Sequence, residues 1–142
     1  MKNAKQVLEE FTALSLRDPE EASAMFSENG AFEMPYLESL GLPWRYEGRE
    51  KIAGFFQFVR DLYPDLEFHN VKVVCEMPAV AVGEYEFTTK SSRTGRTIHQ
   101  LFVGRYEVDN GKITLLRESL NLVELGLAIY TNGLADYKIL EG

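Results

Sequence analysis

The stretch Thr97–Leu122, TIHQLFVGRYEVDNGKITLLRESLNL, constrains the fold more than any other part of the chain. It reads as two long strands joined at Asp109-Asn110-Gly111. Asn and Gly tolerate the positive φ that a tight hairpin turn demands, and alternating apolar residues flank them on both sides. Near the end of the second strand, Arg117-Glu118 interrupts an apolar run, with Ile113-Thr114-Leu115-Leu116 before it and Leu120-Asn121-Leu122-Val123 after it. A carboxylate in that setting reaches water, pairs with a cation, or sits in a pocket with a raised pKa.

The rest of the chain supplies helices first and strands later. Residues 3–17 carry Val7, Leu8, Phe11 and Leu14 at helical spacing. Asp18-Pro19-Glu20-Glu21 is an N-cap, a first-turn proline and two carboxylates that suit a helix start, and this short helix is expected to run to about Phe26. Glu28-Asn29-Gly30 predicts a turn before a short strand at residues 31–34. Residues 35–45, PYLESLGLPWR, form a loop rich in large apolar side chains, either a lid over a pocket or plain core closure. Arg49–Tyr63 has the widest apolar face of the helices, with Ile52, Phe55, Phe56, Val59 and Leu62, and Pro64 stops it. Strands are expected at 66–77 and 79–90, joined to the hairpin by the polar loop Ser91–Gly95. The tail from Val123 predicts a short helix broken up by Gly126, Asn132 and Gly133.

Helices segregate from strands in this order, so the class is α+β, and 142 residues make a single domain, 1–142. Valines and leucines fall on both faces of the strands, at Val71, Val73, Val74, Val80, Val82, Leu101 and Val103. A sheet apolar on both faces is covered on both. The helices cover one face, and a second copy of the sheet is the economical cover for the other, which predicts a homodimer. The net charge of −7 argues against nonspecific binding to nucleic acid. No run of about 18 apolar residues exists to cross a membrane as a helix. A lone cysteine, Cys75, and Glu9-Glu10 near the start point to the cytoplasm. Nine Phe, seven Tyr and one Trp suit a large core, a lined pocket, or both.

Several strings, in order, resemble the SnoaL-like and ketosteroid-isomerase-like branch of the nuclear-transport-factor-2-like superfamily. They are Phe26-Ser27-Glu28-Asn29-Gly30, Tyr46-Glu47-Gly48-Arg49-Glu50-Lys51-Ile52, Asp109-Asn110-Gly111-Lys112-Ile113 and Arg117-Glu118. Tyr63–Val73 and the run of Arg117-Glu118, Asn121 and Leu125-Gly126-Leu127-Ala128 look most like the phenazine-biosynthesis PhzA/PhzB proteins. The resemblance implies a curved antiparallel sheet wrapped by N-terminal helices around a conical pocket, a cystatin-like α+β barrel, in a dimer. It implies cofactor-free isomerases, cyclases and related enzymes, or pure binders. Glu118 falls on the carboxylate that PhzA/PhzB proteins use as an acid. Three of their other polar pocket positions fall on Phe55, Val59 and about Ala22, which are apolar here.

Glu118 is the leading catalytic candidate: an apolar pocket raises a carboxyl pKa and makes it a proton donor near neutrality. The competing reading is an ion pair with a cation such as Arg105. His99 and Gln100 lie on the strand paired with that of Glu118, and alternation lets only one of them face the pocket. His99 would act as an acid–base partner and Gln100 would polarise a substrate. Tyr36 and Trp44 are candidates for the pocket mouth, Phe55 and Val59 for its wall, and Asn121 for an amide contact to a ligand. Neither histidine has carboxylates at metal-binding spacing, and no phosphate loop, dinucleotide fingerprint or Gly-x-Ser-x-Gly elbow occurs, so no metal or cofactor is expected. Three functions fit: an enzyme moving a proton on a small cyclic or aromatic ketone-like molecule, a noncatalytic binder of a small apolar ligand, or a dimerisation module whose pocket is filled by Phe55, Phe56 and Trp44.

Overall fold

The computed structural model describes residues 1–136. Helix α1 (Ala4–Leu14) opens with a capping box, in which Asn3 and Gln6 exchange backbone-to-side-chain hydrogen bonds. It ends three residues before the expected Arg17. Ser15 and Leu16 turn left-handed there, and the Ser15 hydroxyl accepts a bond from the Phe68 amide at 3.0 Å. Helix α2 (Pro19–Ala24) starts as the sequence predicts: Asp18 accepts from the amides of Glu20 and Glu21. Strand β1 (Phe26–Glu33) is longer than expected. It runs through Glu28-Asn29-Gly30 with a register shift there instead of turning. Gly30 is tightly enclosed, since a Cβ would sit 2.7 Å from the Ile113 carbonyl oxygen.

A 3-10 helix over Pro35–Leu40 leads to β2 (Arg45–Glu47) and α3 (Arg49–Leu62). Strands β3 (His69–Glu76), β4 (Val80–Lys90), β5 (Thr97–Asp109) and β6 (Lys112–Ser119) follow, then α4 (Leu122–Ile129) and a 3-10 turn over Gly133–Asp136. The tail forms the expected short helix, α4, but it runs unbroken through Gly126, which packs closely against Leu134 instead of ending it, and residues 137–142 lie outside the described part. The six strands form one curved, unclosed sheet in the order β2-β1-β6-β5-β4-β3. β3 to β6 pair antiparallel, and β1 adds to β6 in parallel. At the β5–β6 turn, Asn110 and Gly111 both have positive φ, 51° and 73°, as a type I′ hairpin requires.

Alternation along β5 is unbroken. Ile98, Gln100, Phe102, Gly104, Tyr106 and Val108 are buried on the inner face, and the residues between them are exposed or half-buried on the outer face. Helix α1 lies across β3, β4 and β5, and Gly83 makes the close approach, because a Cβ there would sit 2.8 Å from a Leu8 methyl. Helix α3 packs on α2, β1 and β2. Phe11, Phe26, Phe56 and Tyr106 meet beneath these helices with ring centroids about 6 Å apart.

On the outer face, Glu33 joins three strands. Its register partners are Arg45 on β2 and Arg117 on β6, and both guanidinium groups bond its carboxylate. Burial by itself would raise the Glu33 pKa, but the bonds and charges of Arg117 and Arg45 outweigh it and hold the carboxyl below its ordinary value. A carboxyl held low stabilises the fold above the unfolded-state pKa, and that stability is lost as pH falls through the folded value. Glu33→Gln should therefore cost about 2 kcal/mol near neutrality, moderated by the partial exposure of both arginines. Urea titrations should show the gap to wild type closing below pH 4.5, and a gap constant down to acid would refute the clamp.

Candidate functional site

The inner face of the sheet, α3 and α4 enclose a cavity of about 660 Å³. Phe32 and Met34 of β1, Phe55 and Val59 of α3, Phe102 of β5 and Leu125 of α4 are among its walls. Its apolar character follows from local pattern. The broad apolar face of α3 turns inward, and each strand presents its buried alternate set. Leu37, Leu42 and Pro43 from the loop after β1 complete the enclosure.

Glu118 is the one acidic side chain that lines this cavity among the described residues, and it is 5% exposed. It stands opposite Gly104 on β5. Behind it, the Tyr85 hydroxyl of β4 donates to Glu118 Oε2, and the Tyr106 hydroxyl donates to the Tyr85 oxygen at 3.0 Å. Burial pushes the Glu118 pKa from 4.5 up to about 7, against a downward pull from the Tyr85 bond. Burial, and then the nearby Glu118 charge, push both tyrosine hydroxyls well above 10, so they stay neutral donors. Because Tyr85 occupies Oε2, the acid proton belongs on Oε1. The expected alternative partner, Arg105, lies on the opposite face and pairs with Glu107 at 3.1 Å.

Gly104 makes this arrangement sterically feasible. A Cβ at that position would overlap the Tyr85 hydroxyl and come within 3.0 Å of its Cζ and 3.1 Å of Tyr106 Cε1. Tyr85 packs flat against Phe102, at 5.7 Å between centroids, and edge-on to Phe68 at 5.1 Å.

The structure divides the other candidates. Phe55 and Val59 line the cavity, with Phe55 stacked on Tyr46 at 4.5 Å. Gln100 also lines it, but its amide is committed elsewhere: Nε2 donates to the Asn121 carbonyl and Oε1 accepts from the Asn121 amide, both at 2.8 Å. His99 is on the outer face, exposed, with Nε2 3.3 Å from Glu86. It is thus no acid–base partner for Glu118, because alternation gives the inner position to Gln100. Tyr36 is 59% exposed and does not line the cavity. Trp44 packs at the edge of the core, also away from the lining. The Asn121 side chain caps α4 by accepting from the amides of Val123 and Glu124, so it offers no ligand contact. The filling by Phe55, Phe56 and Trp44 that would mark a dimerisation module with a closed pocket does not occur: the two phenylalanines are walls of an open space.

Three tyrosines escape a sequence reading. Tyr85 could have been found from its neighbours, since Glu84 and Glu86 face outward and leave it an inward hydroxyl in need of a partner. Tyr106 follows by the same alternation on β5. Tyr63 ends α3, lines the cavity, and has no hydrogen-bond partner for its hydroxyl among the described residues. Burial, with a smaller effect from Glu124, raises its pKa as well. No cluster of three or more His, Cys, Asp or Glu side chains suited to a metal occurs among the described residues. No helix among them is long and apolar enough to cross a membrane.

Comparison with known proteins fits this architecture. A candidate isomerase from Bacillus subtilis is 23% identical with a TM-score of 0.78, covering 88% of this chain and 91% of its own. The phenazine biosynthesis-related protein PhzB2 from Pseudomonas aeruginosa is 22% identical with a TM-score of 0.77, covering 89% and 84%. A candidate polyketide cyclase from Xanthomonas campestris is 21% identical with a TM-score of 0.72, covering 86% and 93%. At these identities the likeness is one of fold. Among curated proteins, none matches the sequence significantly. The sequence profile of the SnoaL-like domain matches residues 7–116, and with that match the chain belongs to the SnoaL-like domain family of the nuclear-transport-factor-2-like superfamily.

Proposed function

We propose that the protein is a cofactor-independent isomerase or cyclase, which moves a proton on a small cyclic or aromatic ketone-like molecule held in the cavity. The fold's members include isomerases, cyclases and epoxide hydrolases. The observation that carries the reading is Glu118, a buried carboxyl that opens into an apolar cavity and is backed by Tyr85. With its pKa near 7, it is close to half-ionised at neutral pH. The ionised form removes a proton from the carbon next to a carbonyl, and the resulting acid returns the proton to another carbon. One group performs both steps, and proton count is conserved. Tyr63 is suited to donate a hydrogen bond to the substrate oxygen as its charge develops, a role in which a neutral, buried hydroxyl is effective.

The second reading is a noncatalytic binder. It is favoured by the pairing of Gln100 with Asn121, which leaves the cavity with few polar groups. Deuterium exchange and isomerisation of a panel of cyclic β,γ-unsaturated ketones, followed by NMR in D2O, separates the two. An enzyme accelerates exchange, with a rate that rises with pH through about 7, and Glu118→Gln lowers that rate about 10²- to 10⁴-fold. Probe binding without accelerated exchange would establish the binder instead.

We also propose a homodimer through the outer sheet face. In one chain Leu101 and Val103, at the middle of that face, are 49% and 41% exposed, and Val74 on β3 is 56% exposed. Replacing both Leu101 and Val103 with Glu should convert a dimer to a folded monomer in sedimentation velocity. An unchanged sedimentation coefficient would place the interface elsewhere or show that wild type is already monomeric.

A further inference from the structure

The entrance to the cavity carries charge that the proton-transfer mechanism does not use. Of the residues that line the cavity, Pro43, Lys51, Gly54, Phe58 and Arg93 are the exposed ones, so they form its rim. Two of these five are cations and none is an acid. Neither Lys51 nor Arg93 has a carboxylate partner among the described residues, so both charges face the mouth uncompensated. Lys51 and Phe58 lie two helical turns apart on α3, about 10 Å along its axis. The Arg93 guanidinium, from the loop between β4 and β5, sits over the Phe58 ring at 5.8 Å. That contact holds it at the rim without neutralising it. In a chain of net charge −7, the exposed described residues that line this apolar cavity thus carry positive charge, while the one acid among its described lining residues, Glu118, is buried.

We infer that the site takes an amphipathic monoanion: a cyclic or aromatic molecule whose rings fill the apolar interior while its carboxylate stays at the mouth, in the field of Lys51 and Arg93. This deepens the functional reading above and rests on it, since it presumes that the cavity is the ligand site. The layout separates the two ends of the ligand. The rings lose water to the phenylalanine walls, and the carboxylate remains half-solvated, so its charge need not be buried. A monoanion needs only one cation in direct contact, which Arg93 or Lys51 supplies while the other adds attraction at longer range. A phosphate dianion draws several donors to one point. The anion would also fix which way round the ligand enters, presenting the end opposite the carboxylate to Glu118.

The test uses 2-naphthoate and its methyl ester as probes, titrated into the full-length protein by fluorescence and calorimetry at about pH 6. Wild type should bind the acid about tenfold more tightly than the ester, and the preference should shrink as salt rises. In the double variant Lys51→Gln/Arg93→Gln the acid-to-ester ratio should fall to near one. Both side chains are exposed, and circular dichroism would confirm the fold of the variant. A ratio near one in wild type, or a preference that survives in the double variant, overturns the carboxylate assignment. In that case ester binding would still support the cavity as a ligand site. If neither probe binds, the cavity reading fails and the inference falls with it.

Discussion

Glu118→Gln should make the protein more stable than wild type by up to about 3 kcal/mol at pH 8 and above, with the difference fading towards pH 4.5. Below 4.5 the carboxyl is protonated in both folded and unfolded chains, so it imposes no penalty. As pH rises the unfolded chain ionises first, near 4.5, while the buried carboxyl holds its proton until about 7. Wild type therefore loses stability across that window, and above it the folded chain carries a buried charge. Glutamine never ionises, and its amide oxygen still accepts the Tyr85 hydroxyl, so the chain from Tyr106 survives. Denaturant titrations of both proteins from pH 4.5 to 9 measure the difference directly. A gap independent of pH would mean that Glu118 titrates like a solvated carboxyl, and the proton-transfer mechanism would fall with it. Loss of exchange activity together with a gain in alkaline stability is the signature of a group kept for function at a cost to the fold.

Gly104→Ala is expected to destabilise the protein by about 3 kcal/mol, far more than one methyl group on a strand normally does. The new methyl would take the space of the Tyr85 hydroxyl. Tyr85 has nowhere to retreat, since Phe68, Phe102 and Tyr106 hold its ring on three sides. If the ring moves, the bond to Glu118 and the bond from Tyr106 are lost together. The Tyr85 bond is what pulls the Glu118 pKa down, so that pKa should climb above about 7 in the variant. Carboxyl-carbon NMR through a pH titration reads this second effect independently of stability. Combining Gly104→Ala with Tyr85→Phe should cost less than the sum of the two single changes, because both disrupt the same contact. A Gly104→Ala protein within about 0.5 kcal/mol of wild type, with Glu118 unshifted, would show that Tyr85 does not hold Glu118 in place.

Much of this architecture is local in origin. Asn110-Gly111 accepts the two positive φ angles of a tight turn, and the turn sets the register of β5 against β6. Alternation on either side then places Arg117 outside with Glu118 inside, and His99 and Gln100 on opposite faces. Asp18-Pro19 and the apolar face of α3 set their helices by the same nearest-neighbour chemistry. The order of helices and strands follows from these signals, and so does the α+β class.

The sequence by itself thus determined the elements, the hairpin and the pairing of opposite faces along each strand. Periodicity names a face, but it is blind to which residues of distant elements meet on that face. Only the tertiary structure decided that Tyr85 reaches Glu118, because β4 and β6 flank β5 and Gly104 leaves a gap between them. Only there does Gln100 turn out to clamp Asn121, and only there do Lys51 and Arg93, far apart in the chain, share one rim. Even the parallel union of β1 with β6, fastened on the outer face by Glu33, depends on a closure over more than eighty residues. Contacts of that reach are chosen by global packing and register, which no local run of side chains encodes.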